Sequence, residues 1–203
     1  MSSERAIVIL NSGSGSNMAA IVRAAQRGDW ARKHRAKVAA VISNRADAGG
    51  LVQARALGVP TEVVSHQDFS AHDDPRSAFD AALALRVQRH CPALVVLAGF
   101  MRILSPRFVE SFEGRLMNIH PSLLPAFPGL NTHQRALDAG CQVAGATVHM
   151  VTANLDSGPI LAQAVVPIVL GDTAQTLAER VLQQEHLIYP AAIEAWLSKH
   201  VTA

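Results

Sequence analysis

The chain has 203 residues, of which 49% are hydrophobic, 17% charged and 4% aromatic, the size and balance of one globular domain, with no room for a second large one. Eighteen Lys and Arg against sixteen Asp and Glu leave a formal charge of +2, so the electrostatic footprint of a nucleic-acid binder is missing. Cys91 and Cys141 stand far apart with no C-x-x-C spacing, which argues against a disulfide framework or structural zinc and for a cytoplasmic protein. The apolar run that follows Met1-Ser-Ser-Glu-Arg5 is too short for a signal segment or for the roughly 20 residues of a membrane span, so no membrane association is expected.

Ala6-Ile-Val-Ile-Leu10 is an unalternating β-branched run ending in Asn11-Ser-Gly-Ser-Gly-Ser16, the pattern of a strand buried on both faces and followed by a tight turn. Met18, Ile21, Val22 and Ala25 recur at helical spacing up to Gly28, and Val38–Ile42 reads as a second strand. The alternation continues through a helix at Leu51–Leu57 closed by Gly58, a strand at Thr61–Val64, a helix at Arg76–His90 and a strand at Leu94–Ala98. This pitch predicts an α/β fold of Rossmann-like type, a mostly parallel sheet with helices on both faces. Further along, Arg115–Ile119 reads as a strand, Thr132–Ala139 as a short helix, and Val143–Val151 and Ile160–Val169 as strands that turn the sheet mixed. A final helix from Thr173 is expected to be interrupted at Pro190, which lacks a backbone donor and crowds the preceding turn.

Four places can carry chemistry. Ser12-Gly-Ser-Gly-Ser-Asn17 lies between strand one and helix one, where backbone N–H groups and the helix dipole suit a phosphate; a plain flexible turn is the blander alternative. A nicotinamide dinucleotide fits poorly, because Met18 stands where the third glycine of G-x-G-x-x-G belongs and Ser43-Asn-Arg45 supplies no acid for the ribose. No Gly-Lys-Ser/Thr follows the loop, so it is no Walker A motif either. In Asn118-Ile-His-Pro-Ser-Leu-Leu-Pro125, residues 118 and 120 share one face at the carboxyl end of a strand. An amide donor beside an imidazole suits a carbonyl oxygen that becomes an oxyanion, with protons moved by the ring; a structural histidine is the alternative. Leu155-Asp-Ser-Gly-Pro159 is ordinary turn chemistry unless Asp156 joins Asn118 and His120. A metal on His120, His149 and Asp156 lacks a close-spaced His pair in its support, and no G-x-S-x-G marks a serine hydrolase. Leu97-Ala-Gly-Phe-Met-Arg-Ile-Leu104 leaves strand four as an apolar loop, either core or the wall of a site for a flat aromatic ligand.

At these places the sequence resembles the glycinamide ribonucleotide transformylase family of folate-dependent formyltransferases. The resemblance runs from Ala6 to about Pro190 and is carried by Ser14-Gly-Ser-Asn17, Leu97-Ala-Gly-Phe-Met-Arg-Ile-Leu-Ser-Pro106, Asn118-Ile-His-Pro-Ser-Leu-Leu-Pro125, Pro128-Gly-Leu-Asn-Thr-His133, Asp156-Ser-Gly-Pro159 and Gln184-Glu-His-Leu-Ile-Tyr-Pro190. It implies transfer of the formyl group of 10-formyltetrahydrofolate to the glycine amine of 5'-phosphoribosylglycinamide, in purine biosynthesis, with no metal. By the same matching, Asn118, His120 and Asp156 are the expected catalytic group. Gly15, Ser16, Asn17 and Glu185 are expected to hold the nucleotide. Arg76, Met101, Arg102, Ile103, Leu104 and Asn118 are expected to meet the folate. A monomer or weak homodimer binding only small molecules is expected, one domain over residues 1–203 with a phosphate-binding half (1–100) and a folate-binding, catalytic half (101–203).

Relatives share the Asn-x-His and Asp core. Methionyl-tRNA formyltransferase carries an additional C-terminal RNA-binding domain and formyltetrahydrofolate deformylase an additional N-terminal regulatory domain, and the length of this chain favours neither. Members of the family often continue past the final helix with a strand pair, whereas this sequence stops at Ala203; the polar segment Asp68–Pro75 also departs from the pattern just before Arg76. The competing classes are an NADP-dependent reductase, with Arg45 on the extra phosphate, and a nucleotide-binding module without turnover.

Overall fold

The computed structural model describes residues 4–200. One seven-stranded sheet has the order β3-β2-β1-β4-β5-β6-β7. β1 (Arg5–Asn11), β2 (Ala36–Ser43), β3 (Thr61–Val63), β4 (Pro92–Leu97) and β5 (Leu116–His120) run parallel, and β6 (Val143–Met150) is antiparallel to both its neighbours, β5 and β7 (Ile160–Pro167). The expected Rossmann-like, mostly parallel sheet that becomes mixed in the second half is the observed one.

The unalternating run in β1 has a simple cause. Successive strand side chains point to opposite faces, and here both faces are covered: Ile7 and Ile9 enter one apolar cluster, Val8 and Leu10 the other. The first cluster is closed by α1 (Ser16–Arg27), α3 (Gly49–Ala56) and α7 (Ala174–Lys199), through Met18, Ile21, Leu51, Val181 and Ile193. The second is closed by α4 (Pro75–Gln88) and α5 (Pro106–Ser111), through Phe79, Leu83, Phe108 and Val109.

Two short helices were not anticipated. α2 (Trp30–His34) is framed by Asp29 and Arg35, both at positive φ. α5 opens on Ser105, whose hydroxyl accepts the Phe108 N–H, with Pro106 in its first turn, a start signal that the surrounding apolar residues obscured. α6 (Thr132–Asp138) matches its expected place.

The interruption at Pro190 does not occur. α7 continues to Lys199 with Pro190 inside it. Leu177, Val181, Tyr189, Ile193 and Leu197 bury one stripe on both sides of the proline, and this packing outweighs the roughly 3 kcal/mol that an interior proline costs. The Tyr189 hydroxyl lies 2.9 Å from the Leu97 carbonyl and 3.1 Å from that of Met117, tying the helix to the ends of β4 and β5. Among the described residues no helix is long and apolar enough to cross a membrane.

Candidate active site

Chain order reverses at β1, which has β2 on one side and β4 on the other. In an open parallel sheet the carboxyl ends of such neighbours leave a crevice. The loop after β1 enters α1 through Gly15 at φ 84°. A Cβ there would lie 2.5 Å from the Gly50 Cα, so both the left-handed backbone and the close approach require glycine. The Gly50 N–H donates to the Gly13 carbonyl at 2.9 Å, seating the loop on the start of α3. Gly13 and Ser14 are exposed and Ser16 is half-buried, whereas Asn17 turns inward and donates to Glu185 Oε2 at 2.6 Å. Two residues expected to hold the nucleotide, 168 positions apart in the chain, thus touch.

Burial raises the Glu185 carboxyl above its ordinary range, although the Asn17 amide and the charge of His120 act the other way. A folded-state pKa above the unfolded one means that the fold binds this proton more tightly, so stability falls as pH rises through the interval between the two. Glu185→Gln keeps an oxygen for Asn17 and removes the buried charge. The variant is expected to melt about 2–4 °C above the parent at neutral pH, the shift that 1 kcal/mol produces in a chain of this size. Thermal scans should show that gap closing as pH falls below the raised carboxyl value. A gap independent of pH would mean that Glu185 is not the titrating group.

At the far side of the crevice β5 presents Asn118 and His120, two apart and therefore on one face. His120 is 6% exposed. Its Nε2 is 3.0 Å from the Phe127 carbonyl, which can only accept, so the neutral ring carries its proton on Nε2 and its lone pair on Nδ1. Nδ1 lies 3.4 Å from Asp156 Oδ2. Asp156 sits at φ 50° in the loop between β6 and β7, and the same carboxylate oxygen accepts the Gly129 N–H at 2.9 Å. A positive φ is tolerated better by Asp than by most residues, and here it turns the carboxylate toward the ring.

One residue whose part in this cluster the sequence does not reveal is His149. Considered above only as a metal ligand, it stands opposite Asn118 in the antiparallel pairing of β5 and β6. Its Nδ1 donates to the Met150 carbonyl at 3.0 Å, leaving Nε2 to accept from Asn118 Nδ2 at 3.3 Å. Burial lowers its pKa and keeps the ring neutral, so the 3.9 Å approach of Nε2 to Asp156 Oδ1 is not an ion pair. Nδ2 of an amide has two hydrogens; His149 takes one and fixes the plane, and the other is available to an incoming oxygen. Thr147, two residues back on β6, holds the loop after His120 by donating to the Ser122 carbonyl at 2.7 Å and accepting the Leu124 N–H at 3.0 Å. Among the described residues no group of His, Cys, Asp or Glu is arranged to hold a metal ion.

The loop after β4 divides. Met101 and Ile103 are 76% and 66% exposed, whereas Leu104 is buried in the second apolar cluster. Arg76, expected to meet the folate, donates from Nη2 to the Leu104 carbonyl at 3.0 Å, and the Arg102 guanidinium lies 4.8 Å from the centre of the Phe79 ring. Helix α4 therefore supports this loop from below. The structure brings together Asn118, His120 and Asp156 in one cluster, Asn17 and Glu185 in a second, and Arg76 with the 101–104 segment in a third.

The family model described as "Formyl transferase" matches residues 5–193. Phosphoribosylglycinamide formyltransferase of Escherichia coli is 47% identical over 192 residues, covering 95% of this chain and 86% of that protein. The trifunctional purine biosynthetic protein adenosine-3 of Gallus gallus is 41% identical over 188 residues, which are 93% of this chain and 18% of that much longer protein. The crystal structure of phosphoribosylglycinamide formyltransferase from Brucella melitensis superposes with a TM-score of 0.86 at 50% identity, covering 98% of this chain and 99% of that one. Matched over nearly its whole length by the family model and by these relatives, the chain belongs to the formyl transferase family.

Proposed function

We propose that this enzyme is a phosphoribosylglycinamide formyltransferase, transferring the formyl group of 10-formyltetrahydrofolate to the glycine amine of 5'-phosphoribosylglycinamide in purine biosynthesis. The observation that carries the chemistry is the cluster in which His149 orients the Asn118 amide while Asp156 faces the His120 ring at 3.4 Å. Two of the relatives reported above, from Escherichia coli and Brucella melitensis, are phosphoribosylglycinamide formyltransferases by name, and family membership makes a one-carbon folate the donor.

In this reading the amine attacks the formyl carbon and the carbonyl oxygen becomes an oxyanion, met by the free N–H of Asn118 Nδ2. The attacking nitrogen loses a proton and the departing folate nitrogen gains one. His120 moves that proton through Nδ1, directly or by way of one water, and Asp156 stabilises the imidazolium formed in between. Gly15, Ser16, Asn17 and Glu185 hold the nucleotide, with its phosphate on the loop at the start of α1. Met101, Arg102, Ile103 and Leu104 with Arg76 form the folate side, where Met101 and Ile103 offer an apolar wall. The chain acts as one domain on two small molecules, in the cytoplasm, as a monomer or weak homodimer without nucleic acid or membrane.

Asp156→Asn tests the division of labour. The amide still accepts the Gly129 N–H but cannot stabilise a charged ring, so kcat is expected to fall about 10²-fold or more. Calorimetric titrations should find both substrates bound within about threefold of the parent affinity. Near-normal kcat in that variant would return Asp156 to the role of a turn residue.

A further inference from the structure

Ser12 follows the last residue of β1 and is 6% exposed, and no part of the proposed chemistry uses it. Among the described residues it nonetheless bonds the loop after β1 to the loop after β4 through both its backbone and its side chain. Its N–H donates to the Gly99 carbonyl at 3.0 Å. Its hydroxyl oxygen accepts the Met101 N–H at 2.9 Å and lies 2.6 Å from Asn44 Oδ1. A backbone N–H can only donate, so the hydroxyl proton must go to Asn44, and the direction of the whole relay is fixed. Gly99, one of the two residues after β4 bonded to Ser12, adopts φ 70°. The turn that sends Met101 outward is thus clamped by the residue that immediately precedes the phosphate loop.

We propose that Ser12 is a positioning residue that couples the two substrate sites. An anion settling on Gly13–Asn17 orders the segment that begins at Ser12, and Ser12 passes that order to residues 99–101, so that a bound nucleotide makes the folate side better formed. Coupling of this kind is reciprocal: the folate tightens the nucleotide by the same factor. The inference rests on the formyltransferase reading, and concerns which residue links the sites rather than what they bind.

The test is calorimetric titration of the whole protein with 5-formyltetrahydrofolate, which lacks the transferable N10 formyl group, with and without saturating phosphoribosylglycinamide. In the parent the nucleotide is expected to tighten the folate by about fivefold or more. Ser12→Ala leaves the Met101 N–H without its acceptor. It should weaken the folate about tenfold, leave the affinity for phosphoribosylglycinamide alone within twofold, and abolish the tightening. Ser12→Thr, which keeps the hydroxyl, should restore at least half of the lost coupling. In turnover the Ala variant should show a raised KM for the folate with kcat nearly unchanged. An unaltered fivefold tightening in Ser12→Ala, or equal weakening of both ligands, overturns the proposal while leaving the enzyme's identity standing. A parent protein that binds no 5-formyltetrahydrofolate overturns both. Should Ser12→Ala not fold, amide hydrogen exchange of the parent decides: protection of residues 99–101 must rise several-fold when phosphoribosylglycinamide binds, and unchanged protection contradicts the coupling.

Discussion

Replacing His120 with Ala is expected to lower kcat by about 10²- to 10⁴-fold, the range that a positioned acid–base group supplies. The loss should fall on turnover rather than binding. The ring contacts Phe127 and Asp156 and is almost wholly enclosed, so its removal takes away a proton carrier without stripping the folate wall at Met101 and Ile103. Burst experiments should show no tetrahydrofolate formed in the first turnover above the steady rate. A variant that keeps kcat while raising both KM values would make His120 a binding residue. Thermal melting is the necessary control, because the cavity left behind and the unpaired Phe127 carbonyl carry their own cost in stability.

Asn118→Ala should cost about 10²- to 10³-fold in kcat, the loss of one oxyanion donor. The effect depends on orientation as well as presence. With His149 neutral and its Nδ1 spent on the Met150 carbonyl, Nε2 holds one hydrogen of the Asn118 amide and aims the other. Asn118→Asp puts an acceptor in place of that donor and should be at least as damaging as Asn118→Ala. His149→Ala frees the amide to rotate, and should lower kcat by less than either while leaving KM for both substrates close to the parent. If Asn118→Asp and Asn118→Ala retained more than a tenth of parent kcat, the oxyanion assignment would be wrong.

Much of this site is readable from the chain because its parts are local. The glycines after Leu10 mark a strand-to-helix turn, and the structure places Gly15 at a left-handed φ against Gly50. Asn118 and His120 share a face because strands have a period of two, whatever the strand pairs with. What was not readable depends on partners far away in sequence. His149 reaches Asn118 only because β6 turns antiparallel to β5 in one register, and no local pattern specifies that register. Asn17 reads as a loop residue and Glu185 as a helix residue; their contact requires α7 to pack on α1 across the sheet face. Pro190 misled for the same reason, since its local cost is real but a buried stripe on both sides of it is worth more. Arg76 joins the loop after β4 through the Leu104 carbonyl, which accepts from its Nη2, a contact between α4 and that loop that no local pattern specifies.

In the proposed reaction, formyl transfer waits for the nucleotide's amine and is not spent on water. Release of tetrahydrofolate from 10-formyltetrahydrofolate, followed by absorbance with and without phosphoribosylglycinamide, tests it directly. Release is expected to require the nucleotide, with one formylated nucleotide found by mass spectrometry for each tetrahydrofolate. Equal rates of release in its absence, with formate as the product, would make the protein a deformylase and not a transferase.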